Sequence, residues 1–160
     1  MKEIYIDCEW FISGELFLIG YCYSKNKFDQ LHHKTLTKKK FLNLLNPGIT
    51  IYCYGPDIAI LEKYFNIDIR NKYNCVNLLY IFRKFLKGPK NYKLNTIEKY
   101  FGIQRTVDYK AKIHDMFRDW FTKPQYVIKY NQEDVINLYL VKQLVFKKHN
   151  IRKKDITYLT

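Results

Sequence analysis

Apolar residues crowd Ile4-Tyr5-Ile6 and resume at Cys8 and Trp10, as expected of a strand buried in a sheet. After Ser13-Gly14 a second apolar run covers residues 15–23, and Lys25-Asn26 separates it from a third over residues 27–33. The short turns predict an antiparallel meander. Thr37 can cap a helix reaching about Leu45, where Asn46-Pro47-Gly48 stops it. A strand follows over residues 49–54, Gly55-Pro56 breaks it, and Asp57 opens a helix lasting to about Phe65. A short strand is placed near residues 70–75 and a helix over residues 77–87, closed by Gly88-Pro89. Asn95-Thr96-Ile97-Glu98 has capping-box spacing, with Gly102 as terminator. Residues 107–121 are predicted helical, and Pro124 suits the first position of a long helix to about Lys148. Three strands followed by alternating strands and helices predict an α/β protein, a mixed central sheet flanked by helices.

The chain has 160 residues, enough for one compact core and too few for two. It reads as one domain over residues 1–150 and a basic tail over residues 151–160 that carries Arg152, Lys153 and Lys154. Hydrophobic residues at 48%, with only 6 Gly and 4 Pro, exclude a disordered or linker-rich chain. The 28 Lys and Arg outnumber the 15 Asp and Glu, a formal charge of +13, which predicts a polyanionic partner. Nucleic acid fits. A membrane does not, because no apolar run reaches spanning length and no strongly amphipathic basic helix is evident.

Cys8, Cys22, Cys53 and Cys75 form no Cys-x-x-Cys pair, so zinc is not expected. Each sits in or beside an apolar stretch, as buried reduced thiols do. The chain enters a strand directly after Met1-Lys2-Glu3, and a cytoplasmic location is expected.

Chemistry concentrates in the first strand. Asp7 and Glu9 stand at i and i+2, so both project from one face of an apolar strand. Two carboxylates side by side there ask for a neutralising cation. In the last helix Val127, Tyr130, Asp134, Leu138, Val141 and Val145 follow at steps of three or four, which places Asp134 inside an apolar stripe with Tyr130 one turn away. Hard divalent ions select carboxylate oxygens.

Taken in order, these pieces resemble the three motifs of the DEDD 3′-5′ exonucleases, which share the ribonuclease-H-like fold. Asp7-Cys8-Glu9 resembles the first motif, and Asp57, within Tyr54-Gly55-Pro56-Asp57, the second. Many relatives carry Asn-Gly before that Asp with a longer spacer. Tyr130-Asn131-Gln132-Glu133-Asp134 resembles the third motif in its Tyr-x-x-x-Asp form, the DEDDy subclass, and the stretch from Tyr92-Lys93-Leu94 to Gly102-Ile103-Gln104-Arg105 is similar to the YprB-like branch.

The resemblance implies a 3′-5′ exonuclease acting on single-stranded DNA or RNA ends with two Mg²⁺ or Mn²⁺ ions, which such sites hold roughly 3.5–4 Å apart. By the family's pattern Asp7 would bridge both ions, Glu9 and Asp134 would complete one site, Asp57 would hold the second ion through water, and Tyr130 would orient the attacking water. Two basic clusters are candidate nucleic-acid contacts. Lys38, Lys39 and Lys40 fall in a helix's first turn, where an anion would relieve a conflict with the macrodipole, although a solvated face is the favoured explanation. Lys87, Lys90, Tyr92 and Lys93 mix cations with an aromatic in one loop. A competing third motif, His114 with Asp119, has the spacing used in sister enzymes but lies in a charge-rich segment. A structure-specific endonuclease on the same fold and a noncatalytic nucleic-acid-binding module are the alternatives.

Overall fold

The computed structural model describes residues 2–107 and 113–159, without the side chains of residues 113 and 114. Strands β1 (Glu3–Trp10), β2 (Leu16–Ser24) and β3 (Lys27–His32) form the expected meander. Strands β4 (Thr50–Cys53) and β5 (Asn74–Asn77) add parallel to β1, in the order β3-β2-β1-β4-β5. Parallel pairing requires crossovers. Helices α1 (Lys38–Leu42) and α2 (Asp57–Phe65) supply them on one face. Helices α3 (Leu78–Phe85), α4 (Leu94–Tyr100) and α6 (Pro124–Lys148) cover the other, and α5 (Ile113–Thr122) precedes α6.

Alternation along β1 divides the core. Ile4, Ile6 and Cys8 pack with Phe41, Ile58, Leu61 and Phe65 of α1 and α2, while Tyr5 packs with Phe82, Ile97, Val135 and Leu138 of α3, α4 and α6. Asp7 and Glu9 share Tyr5's face, so they point toward α6. The helix is held in register at two points. Asn131 donates to the Asp7 carboxylate at 2.8 Å, and Lys142 donates to both oxygens of Glu3 at 3.0 Å. The eleven residue steps from Asn131 to Lys142 along the helix span about 16 Å and the four from Glu3 to Asp7 along the strand about 13 Å, a difference the lysine stem covers.

Several local expectations change. Helix α1 stops at Leu42, because Leu44 and Leu45 close as tight turns onto the Phe41 and Leu42 carbonyls. Helix α4 starts at Leu94 with Lys93 as an N-cap lacking a side-chain bond, so the Asn95 capping box does not form. Glu98 instead turns inward to Arg105; a buried charge pair outweighs an exposed reciprocal cap. Gly102 does end α4, at φ 72°, with Gly102 N–H to Lys99 O and Ile103 N–H to Glu98 O. Helix α5 begins at Ile113, and residues 108–112 of the predicted 107–121 helix lie outside the described residues. All four cysteines are free and buried in the sheet. The segment after α6 is docked: Ile151, Ile156 and Tyr158 join the α6-side core, and Leu159 N–H bonds Cys75 O at 2.8 Å, covering the β5 edge.

Candidate active site

The sheet and α6 bring distant acids together. Asp7, Glu9 and Asp134 each offer a carboxylate oxygen within 4.8 Å of the others, and among the described residues they are the one such group. They open on a cavity of about 190 Å³ that Trp10, Tyr54, Asp57, Met116 and Tyr130 also line. Asp7 keeps an edge toward this space while Glu9 and Asp134 are buried. Asp57 stands one step back. Its oxygens accept from the backbone N–H groups of Cys8 and Tyr54, each at 3.2 Å, so the first residue of α2 is fixed against both β1 and the end of β4.

Gathering these carboxylates in one buried space is electrostatically costly. Burial raises Asp7 and Glu9 well above the usual carboxylate range, and repulsion from Asp134, Asp57 and, for Asp7, Glu9 pushes the same way. Burial also lifts Asp57 to about 7 against its two backbone donors. Asp134 rises to about 6, again by burial, with Arg105 and a Tyr130 hydrogen bond opposing. Burial raises the Tyr130 phenol too, with Asp134 next in effect, so the hydroxyl keeps its proton at neutral pH. An all-oxygen, partly buried, charge-starved donor set fits a hard divalent ion, and Asp7, Glu9 and Asp134 are the residues that could hold it.

Three contributors escaped the sequence reading. Asn131 is fully buried; it donates to the Asp7 carboxylate and accepts from Gln30 Nε2 at 2.9 Å. Its signal was a polar residue at the middle of the Val127, Asn131, Val135 row. Gly20 pairs across from Asp7 in the β1–β2 register, and a Cβ there would come 2.1 Å from Asn131 Oδ1; a glycine inside an apolar strand marks such close approach. Arg105 ion-pairs with both Glu98 and Asp134, which no sequence pattern indicates.

The candidate nucleic-acid contacts separate. Lys93 lines a second cavity of about 220 Å³ that shares Asp7, Tyr130 and Asp134 with the first. Lys87 and Lys90 are exposed on the same loop. Tyr92 is half-buried, its hydroxyl donating to Leu86 O at 2.7 Å and its carbonyl accepting from Tyr54, so it is a strut and not a free stacking surface. Lys38 donates to the Asn66 carbonyl at the far end of α2, about 13 Å along the helix from Asp57, and Lys39 and Lys40 are exposed beside it. Asp119 is buried but outside the carboxylate group, and the His114 side chain lies outside the described residues.

The sequence profile of the RNase H superfamily matches residues 4–146. The chain belongs to the RNase H superfamily. No curated protein sequence matches it. Among solved structures this RNase H-superfamily chain is similar to an apo-form nuclease, with TM-score 0.71 and 15% identity over 96% of this chain and 75% of that one. It is also similar to Escherichia coli RNase D, an exoribonuclease involved in structured RNA processing, with TM-score 0.66 and 18% identity over 94% of this chain and 40% of that one. A third neighbour is the family B DNA polymerase of the hyperthermophilic archaeon Pyrobaculum calidifontis, with TM-score 0.68 and 14% identity over 90% of this chain. The chain spans 24% of that polymerase. At these identities the likeness concerns the fold, and the superfamily is one of nuclease-type hydrolases. No helix among the described residues is long and apolar enough to cross a membrane.

Proposed function

We propose that the protein is a metal-dependent 3′-5′ exonuclease that hydrolyses phosphodiester bonds at single-stranded DNA or RNA ends, of the DEDDy kind. The observation that carries this reading is the meeting of Asp7 and Glu9 from β1 with Asp134 from α6 in one ligand-sized space, with Tyr130 lining the same cavity one turn before Asp134. The chemistry supplied by two bound Mg²⁺ or Mn²⁺ ions is acidification of water and stabilisation of charge on the leaving oxygen. Asp7, Glu9 and Asp134 would hold the cations. Asp57, fixed by its two backbone donors, would contribute charge from the rear of the cavity toward a second ion. Tyr130 keeps its proton and acts as a donor that orients the attacking water, since a phenol raised in this way is no base at neutral pH. Lys93 and the net positive surface draw the phosphate backbone in.

The test is digestion of end-labelled single-stranded DNA and RNA oligonucleotides with Mg²⁺ or Mn²⁺, beside a circular substrate. A ladder shortening from the 3′ end, resistance of the circle, and loss of the ladder with Asp7→Asn are expected. Cleavage of the circle would replace the exonuclease with an endonuclease on the same fold. Equal degradation by Asp7→Asn would remove the carboxylate centre altogether.

A further inference from the structure

Arg105 occupies a position that a structural role alone does not require. Its side chain is 9% exposed, between Glu98 at 1% and Asp134 at 9%. Nε and Nη2 take the two oxygens of Glu98 in a fork, the Nη2 arm at 2.6 Å. Nη2 also donates its other hydrogen to Asp134 Oδ1. The guanidinium lies over the Tyr130 ring, 5.3 Å from its centroid. Its loop is clamped on both sides, by the Gly102 turn before it and by Glu133, which accepts from Thr106 N–H and Val107 N–H at 3.1 Å after it.

The fork to Glu98 is complete and charge-neutral by itself. The bond to Asp134 is additional, so the chain supplies its own counter-ion to a residue of the metal cluster. When all are ionised, Asp7, Glu9, Asp57 and Asp134 carry four negative charges, which two divalent ions would balance without Arg105. An ion that took the lone pair of Asp134 Oδ1 now facing Nη2 would displace that hydrogen and leave the arginine on Glu98. That freed, buried, positively charged N–H needs an acceptor. It borders the cavity of about 220 Å³ that Lys93 and Asn95 also line, and a phosphate oxygen is the acceptor that cationic lining suits.

Resting on the metal-centre reading above, we propose that Arg105 is an exchangeable phosphate ligand. It neutralises Asp134 until a divalent ion binds; it then remains on Glu98 and offers the released hydrogen to a phosphate group in the cavity it shares with Lys93. Metal and phosphate binding are thereby coupled through one guanidinium.

Arg105→Met combined with Glu98→Gln removes both charges and leaves neither buried alone. Calorimetry would follow Mn²⁺ binding without nucleotide, then adenosine 5′-monophosphate binding at saturating Mn²⁺. Breaking one charge-assisted hydrogen bond is no longer needed in the variant, so Mn²⁺ should bind on the order of tenfold more tightly, and the mononucleotide on the order of tenfold more weakly. Arg105→Lys, which keeps the charge but cannot fork, is the second variant should the first not fold; there Mn²⁺ affinity should stay near that of the parent while the mononucleotide weakens. A purely structural arginine would weaken both ligands together. Mn²⁺ binding that is unchanged or weaker in the neutral pair, or mononucleotide binding unchanged in both variants, overturns the proposal. Failure of the parent protein to bind Mn²⁺ at all would instead overturn the metal centre, and the exchange with it.

Discussion

Gly20→Ala tests the geometry of the site without touching a charged residue. Gly20 lies opposite Asp7 in the sheet, and α6 crosses so near that an added Cβ would sit 2.1 Å from Asn131 Oδ1 and 2.8 Å from Val135 Cγ2. Ordinary contact starts near 3.4 Å, so something must yield by more than an ångström. Asn131 cannot swing aside freely, since its amide is engaged by the Asp7 carboxylate at 2.8 Å and by Gln30 at 2.9 Å. Overpacking costs about 1–3 kcal/mol, and losing a hydrogen bond to a charged acceptor about 1.5–3 kcal/mol more. At ~2–4 °C per kcal/mol for a chain of this size, the melting temperature should fall by roughly 5–24 °C. Because Asn131 orients the Asp7 carboxylate, a proposed metal ligand, Mn²⁺ affinity should drop about 10–100-fold. Thermal unfolding and Mn²⁺ calorimetry read the two effects separately. Adding Asn131→Ala to Gly20→Ala removes the closest clash and leaves that with Val135 Cγ2, so it should recover part of the melting temperature while Mn²⁺ affinity stays low. A Gly20→Ala protein with unchanged melting temperature and unchanged Mn²⁺ affinity would refute the packing argument and Asn131's role together.

Asp57 and Asp134, raised by burial to about 7 and about 6 from near 3.8, stabilise the metal-free fold in their protonated forms. That contribution is fully present below about pH 4 and is lost as pH rises through about 6 and then about 7. Melting curves of metal-free protein should therefore fall more steeply between pH 4 and 7 than those of the Asp57→Asn/Asp134→Asn variant, whereas parallel curves would contradict the shifts. Mn²⁺ should reverse the trend and release protons on binding, measurable in buffers of different ionisation enthalpy. Tyr130→Phe should lower kcat about 10–100-fold with Mn²⁺ affinity within about twofold, and equal turnover would take Tyr130 out of the mechanism. Lys93→Ala should weaken oligonucleotide binding and reduce the slope of log affinity against log salt by about one. Neutralising Lys38, Lys39 and Lys40 together should matter less, given their place at the far end of α2, and a larger effect than Lys93 would move the substrate track to that face.

Periodicity and punctuation, read along the chain, were sufficient for the β1–β3 meander, for β4 and for placing Asp7, Glu9, Asp57 and Asp134 on their elements, because strand alternation and helical spacing are local properties that project each side chain to a known face; β5 was expected near residues 70–75 and lies at Asn74–Asn77. The same locality explains where reading along the chain stopped. Asn95 to Glu98 satisfies a capping pattern, yet Glu98 turns inward because Arg105 lies there only after the Gly102 turn folds the chain back. Tyr92 has the composition of a stacking platform, yet its hydroxyl and carbonyl are claimed by Leu86 and Tyr54. Lys38 to Lys40 and Lys93 are alike as sequence, and only the direction of α2 and the lie of the α3–α4 loop separate a remote lysine face from a cation beside the acids. The identity of the acids was thus a one-dimensional matter. Their distance, their shared deficit of positive charge, and the arginine that partly fills it arise from packing α6 across β1 and β2, a contact between residues more than a hundred positions apart.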